Sequence, residues 1–342
     1  MGSVTLVLCA GERGGVLPRN QELPRAAFIT PSESWRLRLW PFIDSLPVLV
    51  LSYPWLDWWH PDRLGEQLSK WLPIFKLMLH AAKSSSAHAT VGVLWDFGCL
   101  PQKPHTTAQE GERFETSLRA INEWYFHPYT IVLLVSTPPP SDHGYTNTRP
   151  HKDRGWCNFE LNASITIKND QCLWDMSQWN DGIVEYGCHG GPAAAHSLVG
   201  TLKAGRQPPL TPDAFFEQLH AGVECGDLKF TAPADVDIVV EQYRRGFANV
   251  WGAFSELTQA RQPVWFEYLG WTDADGALLL EALKYAAMHC TFVSGPLIVY
   301  CVDGNEFSEG FLSSILQANE GALAGKFVCT SGGRCMQDFP EL

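Results

Sequence analysis

At 342 residues, with 45% hydrophobic and 18% charged side chains, the chain can bury a large core and is too apolar for disorder to be its main state. A formal net charge of −12 argues against nucleic acid as a partner, because phosphate contacts need clustered Lys and Arg, and only short groups such as Arg244-Arg245 and Lys152-Asp153-Arg154 occur. No apolar run reaches the roughly 18 residues of a membrane span and Met1 to Cys9 lacks the basic start of a signal peptide, so a soluble, cytoplasmic protein is expected, with no membrane partner.

Residues 1–44 read as an extension; Gly11 to Pro24 is rich in Gly and Pro and has the composition of a loop. The first strong strand is Pro47 to Tyr53, apolar without alternation, as a central parallel strand should be. After a loop rich in Trp, Leu64, Leu68, Trp71, Leu72, Phe75 and Leu79 recur at helical spacing to about Ala82, with Pro73 predicting a kink or break. Thr90 to Asp96 is the second strand, and Phe114, Leu118, Ile121 and Tyr125 mark one helix ending before Pro128. Thr130 to Ser136 is the third strand. A long polar loop then leads into a helix opened by Arg154-Gly155-Trp156-Cys157-Asn158-Phe159-Glu160.

This alternation predicts an α/β fold: a doubly wound parallel sheet with right-handed crossovers and helices on both faces, over about residues 45–205. Parallel strands end at the same edge, so Ser52, Asp96 and Ser136 share it with the loops that follow them, where such sheets bind ligands. A further strand is sought in Gly182 to Tyr186 or Ser197 to Leu202. Residues 206–342 read as a mostly helical and βα extension. Thr211-Pro212-Asp213 starts a helix that Gly222 stops, and Asp235 to Trp251 carries a wide apolar stripe. Tyr268 to Leu283 is then echoed by Tyr300 to Leu316, each an apolar strand end, a polar turn and an amphipathic helix; the offset of about thirty residues resembles a leucine-rich repeat.

Glu160 places one carboxylate among aromatic and small neighbours beside that edge. It is open to catalysis or to a structural part, pairing with Arg154 or capping its helix. Ser52, Tyr53, Trp55 and Asp57 lie where a ribose and a base could rest: the rings offer stacking surfaces and Asp57 can accept ribose hydroxyls. Trp55, like Trp58 and Trp59, is of a residue type more often found in a core or an interface. Asp96 can line the same edge or cap the turn after it, and Arg154 can meet a phosphate or a carboxylate. The ten cysteines form no Cys-x-x-Cys pair and have the look of reduced core thiols. No metal set is read, since His60 and His189 lack partners at ligand spacing. No strand runs into Gly-x-Gly-x-x-Gly or a P-loop, which disfavours a dehydrogenase or an ATPase.

Leu51-Ser52-Tyr53, Leu94-Trp95-Asp96 and Val135-Ser136, followed by Arg154-Gly155-Trp156-Cys157-Asn158-Phe159-Glu160, resemble the Toll/interleukin-1 receptor (TIR) domain pattern, and more closely the divergent TIR-like proteins of algae and other protists. The similarity covers about residues 45–170. It departs from the family where Pro101-Gln102-Lys103-Pro104 stands in place of an Arg-Asp-x-x-Pro-Gly series. The resemblance implies a flavodoxin-like sheet and two kinds of activity. One is hydrolysis of the nicotinamide–ribosyl bond of NAD, with Glu160 as the catalytic carboxylate, Ser52, Tyr53, Trp55, Asp57, Asp96, Ser136, Arg154 and Trp156 around the substrate, and no cofactor. The other is non-catalytic signalling or scaffolding through self-association or protein partners. A nucleoside deoxyribosyltransferase with Glu160 as nucleophile is a third expectation.

Overall fold

The computed structural model describes residues 2–3, 15–29, 47–85, 90–137, 143–179, 202–257, 263–292 and 296–332. It is an α/β protein. The elements of the first half are β1 (Gly2–Ser3), β2 (Val48–Ser52), α1 (Glu66–Ser85), β3 (Gly92–Leu94), a single turn α2 (Asp96–Cys99), α3 (Ala108–Ala120), α4 (Asn122–Phe126), β4 (Ile131–Leu134), α5 (Gly155–Ile165) and β5 (Leu173–Asp175). The strand order is β1-β3-β2-β4-β5. The four strands β3, β2, β4 and β5 are mutually parallel, and β1 lies antiparallel on the outer edge of β3. Chain order therefore reverses direction at β2: the chain steps to β3 on one side, then crosses back to β4 on the other.

The unbroken apolar runs have a direct packing cause. Val48 and Val50 join Val132, Leu134 and Leu173 in one core, with Phe159 and Ala163 of α5 and Tyr125 and Phe126 of α4. Leu49 and Leu51 join Val93, Ile131 and Leu133 in a second core, with Leu68, Trp71 and Phe75 of α1. Each of the four parallel strands is thus covered on both faces, which leaves no position for a polar alternation.

Several expectations are revised. Helix α1 runs without a break through Pro73. A proline there costs about 3 kcal/mol, whereas the same helix buries Trp71, Ile74, Phe75, Leu77 and Met78 at about 1.5–3 kcal/mol each, so packing outweighs the lost bond. The single helix expected over Phe114 to Tyr125 is two, α3 and α4, separated by a turn at Ile121. The fourth parallel strand is Leu173–Asp175; the expected segment Gly182 to Tyr186 and almost all of Ser197 to Leu202 lie outside the described residues, as does His189.

The second half contains α6 (Pro212–Cys225), α7 (Asp235–Leu257), β6 (Val264–Trp265), α8 (Asp273–His289), β7 (Leu297–Tyr300), α9 (Glu309–Glu320) and β8 (Phe327–Thr330). Thr211 caps α6 by accepting from the Ala214 amide, with Pro212 at the first helical position. Gly222 does not end it. The stop is Gly226, whose φ of 87° is a left-handed conformation that costs glycine little. Strands β6, β7 and β8 form a separate three-stranded parallel sheet. Asn305 ties its first two turns together: its amide nitrogen donates to the Phe266 and Cys301 carbonyls, both at 2.8 Å, and its oxygen accepts from the Leu269 and Trp271 amides. Val264, Leu297 and Phe327 belong to the same continuous core as Val50 and Phe159. The repeated units therefore pack onto the first half.

Candidate functional site at the carboxyl edge of the sheet

Helix α5 brings the acid to the sheet edge. It is preceded by a single 3-10 turn, His151–Asp153, and is buried nearly all round, with Gly155, Cys157, Phe159, Asn162, Ala163, Ser164 and Ile165 inside the protein. Its start is fixed at Gly155, whose amide donates to the Lys229 carbonyl at 2.9 Å. A Cβ at that position would stand 2.1 Å from the Phe230 ring, so a larger residue there requires that ring to move. Three residues apart, Cys157 and Glu160 then share one face of the helix.

Ser52 is the last residue of β2 and fully buried. Its hydroxyl donates to Glu160 Oε2 at 2.6 Å and lies 2.7 Å from His151 Nε2. Tyr125, whose hydroxyl donates to the Leu51 carbonyl at 2.9 Å, adjoins the same carboxylate. Burial pushes Glu160 up to about 8, and the nearby Asp96 carboxylate adds to the rise; the Ser52 and Tyr125 hydroxyls pull the other way. Burial also pushes the Cys157 thiol well above its ordinary value, helped by Glu160, and brings His151 down to about 4. Left to themselves the three groups favour their neutral forms.

Asp96 forms the second polar centre. It accepts from the Tyr53 hydroxyl, from Trp55 Nε1 at 2.9 Å and from the Phe97 amide at 2.6 Å. Burial raises its carboxyl, and those three donors oppose the rise. Ser52, Tyr53, Trp55, Asp96 and Glu160 are therefore gathered at one edge, and His151, Cys157 and Tyr125 join them.

The other candidates turn elsewhere. Asp57 is 2% exposed, and both its oxygens are engaged: one by Arg63 Nε at 2.9 Å, the other by the Thr146 amide and hydroxyl. It holds the loop after β2 against the loop before α5 and offers a ribose little. Arg154 is neither a surface ion pair nor a partner of Glu160: it is buried, and its guanidinium donates to the carbonyls of Trp55, Asn147 and Arg149. Desolvation brings it down to about 10. Trp156 Nε1 donates to Asp235 of α7 at 2.9 Å, and the Ser136 hydroxyl bonds to Asp175 at the end of β5. His60 is a structural histidine, bonded to the Leu17 carbonyl and the Asp62 amide. Trp58 and Trp59 project outward, at 75% and 43% exposed.

Sequence reading did not gather His151, Tyr125 or the Cys157 thiol into a site. The available signal was a Cys-x-x-Glu pair on one helix face with a histidine six residues upstream of the cysteine. Donor atoms of His151, Cys157 and Glu160 all lie within 4.8 Å of one another; this is the group among the described residues whose side chains could hold a metal ion.

The fold and site define a class and no more: an α/β protein with a half-buried carboxylate at the carboxyl edge of a parallel sheet. No family model, no curated protein and no solved structure matches the chain.

Proposed function

We propose that the chain is a TIR-like protein with a flavodoxin-like sheet that hydrolyses the nicotinamide–ribosyl bond of NAD, with Glu160 as the catalytic carboxylate. The observation that carries this is the bond from Ser52 to Glu160, which holds one carboxylate at the carboxyl end of β2, where the order of the parallel strands reverses. In this reaction the C1′–N bond breaks and its electron pair leaves with nicotinamide, which becomes neutral. Positive charge develops on the ribose, and the Glu160 carboxylate stabilises it. Water then adds to C1′ and releases a proton. The cationic ring of the substrate favours the ionised form of Glu160, against the burial that keeps it protonated in the free protein. Trp55, partly exposed and fixed by Asp96, offers aromatic surface at the same edge, while Tyr53 is buried against Trp71.

Purified protein incubated with NAD, with Glu160→Ala beside it, tests the reading. Nicotinamide release by the wild type alone is expected; none at high protein concentration would sink it. A second reading, a scaffold acting through self-association, draws support from α3, which buries no residue fully and leaves its flank open to a partner. Disrupting the Leu100 to Thr107 loop between α2 and α3 should then abolish association, and unchanged association would remove that reading.

A further inference from the structure

We propose that His151, Cys157 and Glu160 form a binding site for a divalent transition cation of the zinc class. Three atoms no more than 4.8 Å apart leave a point within about 2.8 Å of each, and zinc bonds of about 2.0–2.3 Å to nitrogen, oxygen and sulfur need a closure of well under 1 Å from there. The donors are imidazole nitrogen, sulfur and carboxylate oxygen. Sulfur disfavours magnesium and calcium, and the mixture suits zinc or cobalt. Three protein donors with a fourth position left over is the pattern of an open zinc site. Charge agrees as well: a thiolate and a carboxylate around a divalent cation sum to zero, so the buried cluster gains no net charge.

The supporting frame is rigid. Cys157 and Glu160 sit three residues apart on α5, and His151 belongs to the turn just before it. The Arg154 guanidinium pins that turn to the carbonyls of Trp55, Asn147 and Arg149. One group stands in the way. Ser52 Oγ is 2.7 Å from His151 Nε2 and 2.6 Å from Glu160 Oε2, closer than the roughly 3.4 Å between neighbouring ligands of a tetrahedral ion. A cation held through Nε2 and Oε2 takes the lone pairs that now bond the hydroxyl, so Ser52 must give up both hydrogen bonds. Ser52 thus competes with the cation. Binding rests on these side chains alone; its consequence, that the cation blocks Glu160 and shuts off hydrolysis, rests on the NAD reading above.

The test uses the full chain, stripped of metal with a chelator and titrated with Co²⁺ while the near-ultraviolet thiolate-to-cobalt band is recorded. Wild type should show the band at one equivalent, and Zn²⁺ should erase it. Cys157→Ser, a near-isosteric change, should lose the band; His151→Gln and Glu160→Gln should weaken binding at least about tenfold. Ser52→Ala should keep the band and bind more tightly. Circular dichroism checks each fold, and if Cys157→Ser fails to fold, His151→Gln and Ser52→Ala carry the test. No band in the wild type, or an undiminished band in Cys157→Ser, overturns the proposal. A wild type that shows the band but releases no nicotinamide refutes the catalytic reading and leaves the cation site standing.

Discussion

The Ser52 hydroxyl donates a hydrogen bond to Glu160 Oε2 at 2.6 Å, across 108 residues of sequence. One residue closes the first parallel strand; the other sits on the helix after the third. The bond therefore forms only when both crossovers are complete, and it joins the sheet to the acid at the one edge where the loops converge. A hydrogen bond of this kind contributes about 0.5–1.5 kcal/mol, enough to orient the carboxyl group while burial keeps it protonated in the free protein.

Glu160→Gln separates a catalytic from a structural acid. The amide keeps an acceptor for Ser52 and removes the charge, so nicotinamide release should fall by about 10²–10³-fold, the usual effect of losing one transition-state contact. Because burial raises this carboxyl, its replacement should leave the urea midpoint unchanged or slightly higher. Reduced stability with unaltered turnover would assign Glu160 to structure.

Arg154→Lys should cost about 2–3 kcal/mol of unfolding free energy, read by urea titration of tryptophan fluorescence. The guanidinium reaches three carbonyls in a fixed fork, and an ammonium cannot. Preserved stability with a raised KM for NAD would instead make Arg154 a phosphate ligand.

Asp96→Ala strands the Tyr53 hydroxyl and the Trp55 indole N–H inside the protein. Each buried donor left without a partner costs about 1–3 kcal/mol, so a loss near 3 kcal/mol is expected. Asp96→Asn, which keeps one acceptor oxygen, should lose less than half as much. Equal losses in the two variants would mean that the charge, and not the acceptor geometry, matters.

Lys168 predicts a dependence on pH. Its ammonium is 1% exposed, donates to the Thr130 carbonyl and hydroxyl and to the His127 carbonyl, and is brought down by burial to about 7. The unfolded value is roughly 10.4. Between the two the unfolded chain binds more protons, so stability rises with pH. The cost of burying the charge is complete below about pH 7 and fades as pH climbs toward 10. Urea midpoints from pH 6 to 10 should rise in the wild type and stay flatter in Lys168→Met; equal slopes would show that another group governs the trend.

The parallel sheet was legible because Val48 to Ser52 and Ile131 to Leu134 are apolar at every position but one, the mark of burial on both faces. β5 was not, because three residues between two single-turn helices carry no periodicity. Topology alone put Ser52, Asp96 and Glu160 at one edge. Side-chain direction is another matter. Asp57 finds Thr146, Ser136 finds Asp175, Arg154 finds Trp55 and Trp156 finds Asp235 at separations of 89, 39, 99 and 79 residues. No local pattern encodes such partners. His151 escaped notice because its turn-rich loop has no regular spacing to place it.

Arg206 lies in the stretch that leads from the first half to the second. Its guanidinium donates to the Ile165 carbonyl at the end of α5 and to the Trp265 carbonyl of β6, it lies over the Phe266 ring, and its own carbonyl accepts from Trp271 Nε1. One side chain is thereby the rivet between the helix that carries Glu160 and the second sheet. A truncation after residue 205 would remove it, leave the Ile165 carbonyl bare and expose the apolar flank on which the repeats rest. The carboxy-terminal half is best regarded as a wall of the α/β domain that carries Glu160, and any shortened version of the chain has to keep it.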